Sequence, residues 1–204
     1  KDIAGRGRFG TGRRRFRKYN PPDFEPEWRG KGKLPEEAGF DEHFLWHVGH
    51  TEDKGSRYAD PVIMDNGEPF EDDKGAYGPD LFTVYLLDFA SRHKDEPFFV
   101  YLPHTMPHTR LAASEQFKGK SPRGLYGDVI EEIDFSVGRI VEAVKELKLE
   151  DKTWIIYTSD NGPWLIKNKG FVDGELPPHH GGSAGSLRSG KVSTWEGGVR
   201  VPAI

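Results

Sequence analysis

No cysteine occurs anywhere in the 204 residues, which excludes disulfides and thiolate metal sites and leaves the redox compartment unreadable. There is also no apolar run long enough to span a bilayer. Hydrophobic residues are scarce, at 35% of the chain against 30% charged, and the mean hydropathy of -0.70 lies on the hydrophilic side of globular. With 25 Gly and 15 Pro, long connecting loops are expected. A net charge of -4 supplies no general attraction for nucleic acid or for an anionic membrane, so neither is expected as a partner. The chain lacks an initiator Met and stops at Val201-Pro202-Ala203-Ile204 as if inside a motif, so both ends are expected to be cut ends. A missing targeting segment therefore carries no weight.

The charge that is present is unevenly spread. Residues 1 to 33 hold 11 Lys+Arg and 4 Asp+Glu, a local +7, leaving 18 Lys+Arg and 29 Asp+Glu, or -11, for residues 34 to 204. Within the first segment Gly5 to Lys18 is Gly/Arg-rich with Phe9 and Phe16 interleaved. That composition is found in flexible nucleic-acid-binding arms, but a short basic arm on an acidic body more often solvates itself or folds against that body. Residues 1–33 are set apart as an unassigned basic segment, and 34–204 are read as one body.

Regular structure is expected in two places. Leu81, Val84, Tyr85, Leu87, Phe89 and Ala90 recur near helical spacing from a start at Pro79-Asp80, and Arg92-His93-Lys94 suit the negative end of a helix. Ile130, Ile133, Val137, Ile140, Val141, Val144 and Leu147 make one apolar stripe over Tyr126 to Leu147, with Glu131, Glu132, Arg139, Glu142 and Lys145 on the remainder. A strand-length apolar run follows each helix, Phe98 to Leu102 and Trp154 to Tyr157. Neither run alternates with polar residues, which predicts strands covered on both faces, as in a parallel sheet between helices. Tyr58 to Tyr77 shows turn chemistry and little hydrophobic pattern, and is expected to be loop.

Polar groups collect where these runs stop. Pro103-His104-Thr105-Met106-Pro107-His108 ends the first, and Ser159-Asp160-Asn161-Gly162 ends the second. In open α/β sheets function gathers at the carboxyl ends of strands, and a carboxylate beside a carboxamide offers hard oxygen donors to Ca²⁺ or Mg²⁺. An Asx turn alone would read the same way. His47 and His50 are better read as loop histidines, since Gly49 between them is a poor helix former and no third ligand accompanies them. The glycine-rich return from Pro177 to Lys191 brings His, Arg and Lys to a backbone that can approach a ligand closely, without the spacing of a P-loop.

Taken in order, GFDEHF at Gly39 to Phe44, PFFVYLPHTMPH at Pro97 to His108, the stretch from Tyr126 to Trp164, and GGSAGSLRSGKVSTWEGGVRVPAI at Gly181 to Ile204 resemble the formylglycine-dependent sulfatase family of the alkaline phosphatase superfamily. The resemblance runs from about Leu34 to the last residue. It implies an α/β fold, part of an alkaline-phosphatase-like three-layer sandwich with a mainly parallel sheet. It implies that Asp160 and Asn161 are metal ligands, for Ca²⁺ more than Mg²⁺, and that His108 contacts the sulfate and can protonate the leaving oxygen. Lys191 is implied to bind a sulfate oxygen, with His180 as a substrate-side residue. WEGGVR, Trp195 to Arg200, is read as structural, with Glu196 and Arg200 as a buried pair. The implied partner is a sulfated small molecule or glycan, and the implied location is periplasmic, secreted or lysosomal.

The departures are equally specific. The family's nucleophile arises as formylglycine from Cys or Ser in Cys/Ser-x-Pro-x-Arg, and this chain has no such motif: Ser121-Pro122-Arg123 lacks the intervening residue and lies downstream. The amino-terminal Asp-Asp ligand pair and the Gly-Lys-Trp-His-Leu-Gly element are also missing. The chain therefore reads as an interior piece of a sulfatase that by itself turns over no ester. A phosphodiesterase or phosphonate hydrolase of the same superfamily, and a non-catalytic polyanion-binding relative, stand as alternatives.

Overall fold

The computed structural model describes residues 35–46, 56–71, 75–108, 111–165 and 181–204. His47, His50, His180 and the basic amino-terminal segment lie outside them. The chain gathers into two compact units, one drawn from Lys1–Asp88 and Tyr101–His104, the other from Phe89–Val100 and Thr105–Ile204.

The first unit holds the three strands described. β1 (Phe44–Trp46) pairs antiparallel with β2 (Ile63–Asp65), which pairs antiparallel with β3 (Glu68–Pro69). The stretch from Tyr58 to Tyr77, expected as loop, thus contains a hairpin. Asn66 and Gly67 both have positive φ, 49° and 88°, as a two-residue turn between antiparallel strands demands. The Asn66 side chain fastens that turn to the entry of β1 by accepting the His43 N–H at 2.7 Å. The strands are too short to show a hydrophobic period.

Packed on β1 is an aromatic cluster. Phe44 stacks on Tyr85 at 4.5 Å and meets Phe70 and Phe82 edge-on at 5.1 and 6.0 Å. Burial, aided by the nearby Asp65 and Glu42 carboxylates, pushes the Tyr85 phenol up to about 12. Tyr85 and Phe82 come from α1 (Gly78–Arg92), which starts one residue before the Pro79-Asp80 signal, within the usual fraying of helix ends. Gly78 is required there, because a Cβ would run into the Arg57 carbonyl.

The second unit is organised by α2 (Gly124–Glu146). Of the expected apolar stripe Ile133 and Val144 are buried, but Ile130 is 39% exposed and its neighbour Val129, not assigned to the stripe, takes the buried position. At its carboxyl end the Leu149 N–H reaches the Val144 carbonyl at 2.9 Å and the Lys148 N–H the Lys145 carbonyl at 2.8 Å, with Lys148 left-handed at φ 59°. This is a Schellman ending with lysine where glycine is usual.

The exposed face assigned to Glu132 is a correction. Glu132 is 4% exposed and Asp128 2%, one turn apart on a face turned toward the 114–121 segment. Asp128 accepts N–H bonds from Gly119, Lys120 and Ser121 at 2.8, 3.1 and 2.8 Å. Both Glu132 oxygens accept the Ser114 N–H at 3.2 Å. Periodicity alone assigns carboxylates to water; here backbone donors satisfy them in its place.

The two apolar runs are a second correction. Neither Phe98 to Leu102 nor Trp154 to Tyr157 forms a ladder, and the strands described are antiparallel, not parallel. Trp154 is 92% exposed and Phe99 74%. The end of the second run is paired: Tyr157 and Ile204 exchange N–H bonds at 2.9 Å, and Thr158 bridges Ala203 antiparallel. A run apolar on both faces needs strands beside it and layers above and below, and the described residues supply none of these to Trp154 to Ile156.

Candidate active site

The residues from Thr158 to Pro163 form the site's floor. After the Thr158 bridge the chain turns sharply, with the Ser159 hydroxyl donating to the Asn161 carbonyl at 2.9 Å. Asp160 is exposed, and no Lys or Arg among the described residues pairs with its carboxylate. Asn161 is half-buried, its side-chain amide directed at the Gly162 carbonyl at 3.4 Å.

Lys191 is carried to this floor by backbone contacts between remote parts of the chain. Its N–H donates to the Pro163 carbonyl at 2.8 Å, and the Gly162 N–H donates to the Gly198 carbonyl at 3.0 Å. The Gly197 N–H closes the circuit on the Arg188 carbonyl at 2.9 Å. These approaches depend on missing side chains. A Cβ on Gly162 would strike the Gly197 carbonyl, one on Gly190 the Pro163 carbonyl, and one on Gly198 the Ser193 carbonyl. α3 (Glu196–Val199) is the single turn that holds Gly197 and Gly198 in the knot, and both are buried.

The WEGGVR segment thus contributes close packing, and its ion pair forms without being buried. Arg200 Nε lies 2.7 Å from Glu196 Oε2, but both side chains are more than half exposed, because a one-turn helix at the surface places residues i and i+4 side by side in water. Beside this pair, the Arg188 guanidinium carbon lies over the Trp195 ring, 3.6 Å from its centroid.

The start of α2 joins the same knot. Gly182, left-handed at φ +74°, stands where a Cβ would be 3.0 Å from the Tyr126 hydroxyl and 3.5 Å from Pro163 Cβ. Burial first, and the neighbouring Tyr157 phenol second, push the Tyr126 pKa above its ordinary value. Tyr126 escapes a sequence reading because it is one apolar position among many in a helix; its contact with a turn 56 positions on has no local signal.

His108 is placed on another loop of this unit, exposed, just past the cis Met106–Pro107 peptide. Met106 is buried and anchors that loop. His104, in the first unit, has its pKa lowered by burial. The hydrogen bonds therefore bring the Asp160–Asn161 turn and the Lys191 turn together.

Among the described residues no group of three or more His, Cys, Asp or Glu converges as a metal site. Asp160 and Asn161 nonetheless fit as part of a Ca²⁺ shell: adjacent hard oxygen donors on a turn pinned by neighbouring backbone, two of the six to eight that the ion takes. No helix among the described residues is long and apolar enough to cross a membrane.

Comparison with known proteins explains the arrangement. The chain is 42% identical to human steryl-sulfatase over 124 residues, covering 60% of this chain and 20% of that protein. It is 37% identical to human N-acetylgalactosamine-6-sulfatase over 183 residues, 83% of this chain and 33% of that one. Among solved structures, Ps i-CgsB in complex with k-i-k-neocarrahexaose superposes with a TM-score of 0.65 at 25% identity, covering 90% of this chain and 41% of that one. The chain thus spans between a fifth and a third of the length of these curated relatives. Its architecture is part of the alkaline-phosphatase-like α/β fold of those structures. The sulfatase family model matches residues 18–204, opening inside the basic segment set apart above and extending past the Leu34 boundary of the motif resemblance, and on that match the chain belongs to the sulfatase family.

Proposed function

We propose that this protein hydrolyses sulfate esters, of a sulfated carbohydrate or an aryl compound, with Asp160 and Asn161 as metal ligands and His108 and Lys191 acting on the ester. The observation that carries the reading is the Lys191 N–H bond to Pro163, 2.8 Å long, which fixes a cation-bearing turn three residues from the Asp160 carboxylate. Cleaving a sulfate ester builds negative charge on the equatorial and leaving oxygens, so cations and donors held in place matter more than strong bases. Lys191 binds a sulfate oxygen and stabilises that charge. His108 donates a proton to the departing alkoxide. Ca²⁺, when held by Asp160, Asn161 and further oxygens, supplies Lewis-acid polarisation of the reacting oxygens. His180 is assigned to the substrate side.

The nucleophile has no residue in this chain. With neither Cys nor a Ser-x-Pro-x-Arg motif, the 204 residues cannot form the family's formylglycine, and no attacking step is assigned to them. The relatives' names span sterol and amino-sugar sulfates, which supports a sulfate ester and leaves the alcohol open. A periplasmic, secreted or lysosomal setting fits this family reading.

Turnover of 4-methylumbelliferyl sulfate tests the proposal. The 204-residue chain alone is expected to show none. In the gene product that carries it, Lys191→Ala and His108→Ala are each expected to lower turnover by about 10²-fold or more. Hydrolysis of a phosphodiester with no sulfate-ester activity in that gene product would replace this reading with the phosphodiesterase alternative.

A further inference from the structure

Three residues before Lys191 stands a second cation with no assigned task. The Arg188 guanidinium rests on Trp195 at 3.6 Å, and both residues are exposed. The ring covers the guanidinium carbon from one side, and the exposed side chain keeps N–H donors that can take an anion by two parallel hydrogen bonds.

Among the described residues Arg188 is also unneutralised. The chain carries 33 Asp+Glu against 29 Lys+Arg, yet among the described residues no carboxylate pairs with Arg188 or with Lys191. The carboxylate next to its stacking partner, Glu196, is engaged by Arg200 at 2.7 Å. The backbone that carries both cations is fixed as well. The Arg188 carbonyl accepts the Gly197 N–H, the Lys191 N–H is bound to Pro163, and Ser189 and Val192 between and beyond them are held left-handed at φ 67° and 66°. Left-handed backbone is costly for any residue with a Cβ and more so for a β-branched one, so this turn persists only because the surrounding contacts over-determine it. A strained turn presenting two cations that no carboxylate among the described residues engages is a prebuilt receiver for anions.

We infer that Arg188 forms a second anion subsite beside Lys191, so that the preferred substrate is a sulfated glycan bearing a further anionic substituent, a second sulfate or a carboxylate. The inference rests on the assignment of Lys191 to the reacting sulfate. Three residues of chain reach at most about 10 Å, which keeps the two cations within the spacing of two substituents on one sugar or on adjoining ones. Arg188 acts here as a specificity-determining residue, engaging a group that does not react.

Calorimetric titration of the gene product that carries this chain, at fixed ionic strength, tests this with two ligands that cannot be hydrolysed, benzenesulfonate and benzene-1,3-disulfonate. The disulfonate is expected to bind at least about tenfold more tightly. Arg188→Gln should erase that advantage and leave benzenesulfonate affinity within about twofold, and Arg188→Lys, which keeps the charge but loses the planar fork, should recover less than half of it. Lys145→Gln, a remote cation on α2, should change neither. An advantage that survives in Arg188→Gln, or a parent chain that never prefers the disulfonate, overturns the inference. If Lys191→Gln leaves benzenesulfonate binding untouched while Arg188→Gln still erases the disulfonate gain, the Lys191 assignment fails and the Arg188 subsite stands.

Discussion

Around α2, the 114–121 segment is fastened by side chains that reach out to it, whereas around Lys191 the chain is fastened by side chains that are not there. Asp128 and Glu132 spend their carboxylates on four backbone N–H groups, while Gly162, Gly190, Gly197 and Gly198 let carbonyls approach where any Cβ would block them. The first device tolerates variation in the loop it holds, because it grips only main chain. The second fixes the relative position of two remote turns closely, because atoms in contact leave no slack. The role proposed for Lys191 beside Asp160 and Asn161 needs the second kind, since small displacements at a reacting centre are costly in rate.

The clamp should be the more expensive to break. Asp128→Ala removes three charge-assisted hydrogen bonds and leaves their donors to find water, an expected loss of about 4 kcal/mol in unfolding free energy. Asp128→Asn, with one acceptor oxygen left, should lose about half as much. Urea unfolding gives the totals, and hydrogen exchange gives the location. The Gly119 to Ser121 amides should lose protection while the Lys191 amide keeps it, and loss at both places would show that the two devices are not independent.

Gly197→Ala attacks the knot. Its Cβ would meet the Arg188 and Ser189 carbonyls, and overpacking against backbone that cannot turn aside is expected to cost about 3 kcal/mol. Here the exchange pattern should invert, exposing the Lys191 and Gly162 amides and sparing Gly119 to Ser121. A fully stable Gly197→Ala chain would mean that the close approach of α3 to the Arg188–Ser189 turn is not needed.

These contrasts track what a sequence can disclose. α1 and α2 are legible because an apolar stripe at helical spacing is a local property of consecutive residues. The β2–β3 hairpin is missed although Asn66-Gly67 announces it, because strands of three and two residues show no alternation. Glu132 is assigned to water because periodicity cannot foresee a loop folding back to offer its N–H groups. The apolar runs at Phe98 and Trp154 state a need for neighbours on every side without stating who they are. As for the site, Asp160 and Asn161 are visible as a turn and the order of motifs identifies the family. The bond from Lys191 to Pro163 and the stack of Arg188 on Trp195 join residues whose proximity only folding creates.

The smallest effect separates the two devices by pH. Tyr126 belongs to the knot through its hydroxyl beside Gly182, and burial together with Tyr157 raises its pKa in the folded chain above the ordinary tyrosine value of about 10. At pH values between about 10 and that raised value, the unfolded chain has given up the phenolic proton and the folded chain still holds it. Raising the pH through this window therefore favours unfolding, and the stabilisation present below about pH 10 is lost as the folded phenol ionises. Tyr85, pushed up to about 12, makes the first unit decline in the same direction, so the parent chain alone cannot assign the effect. The difference between parent and Tyr126→Phe can. Urea midpoints at pH 9, 10 and 11 should fall more steeply for the parent, with exchange of the Lys191 amide accelerating in step and the Gly119 to Ser121 amides unaffected. Parallel pH profiles for the two chains would remove Tyr126 from the knot and leave its approach to Gly182 as packing alone.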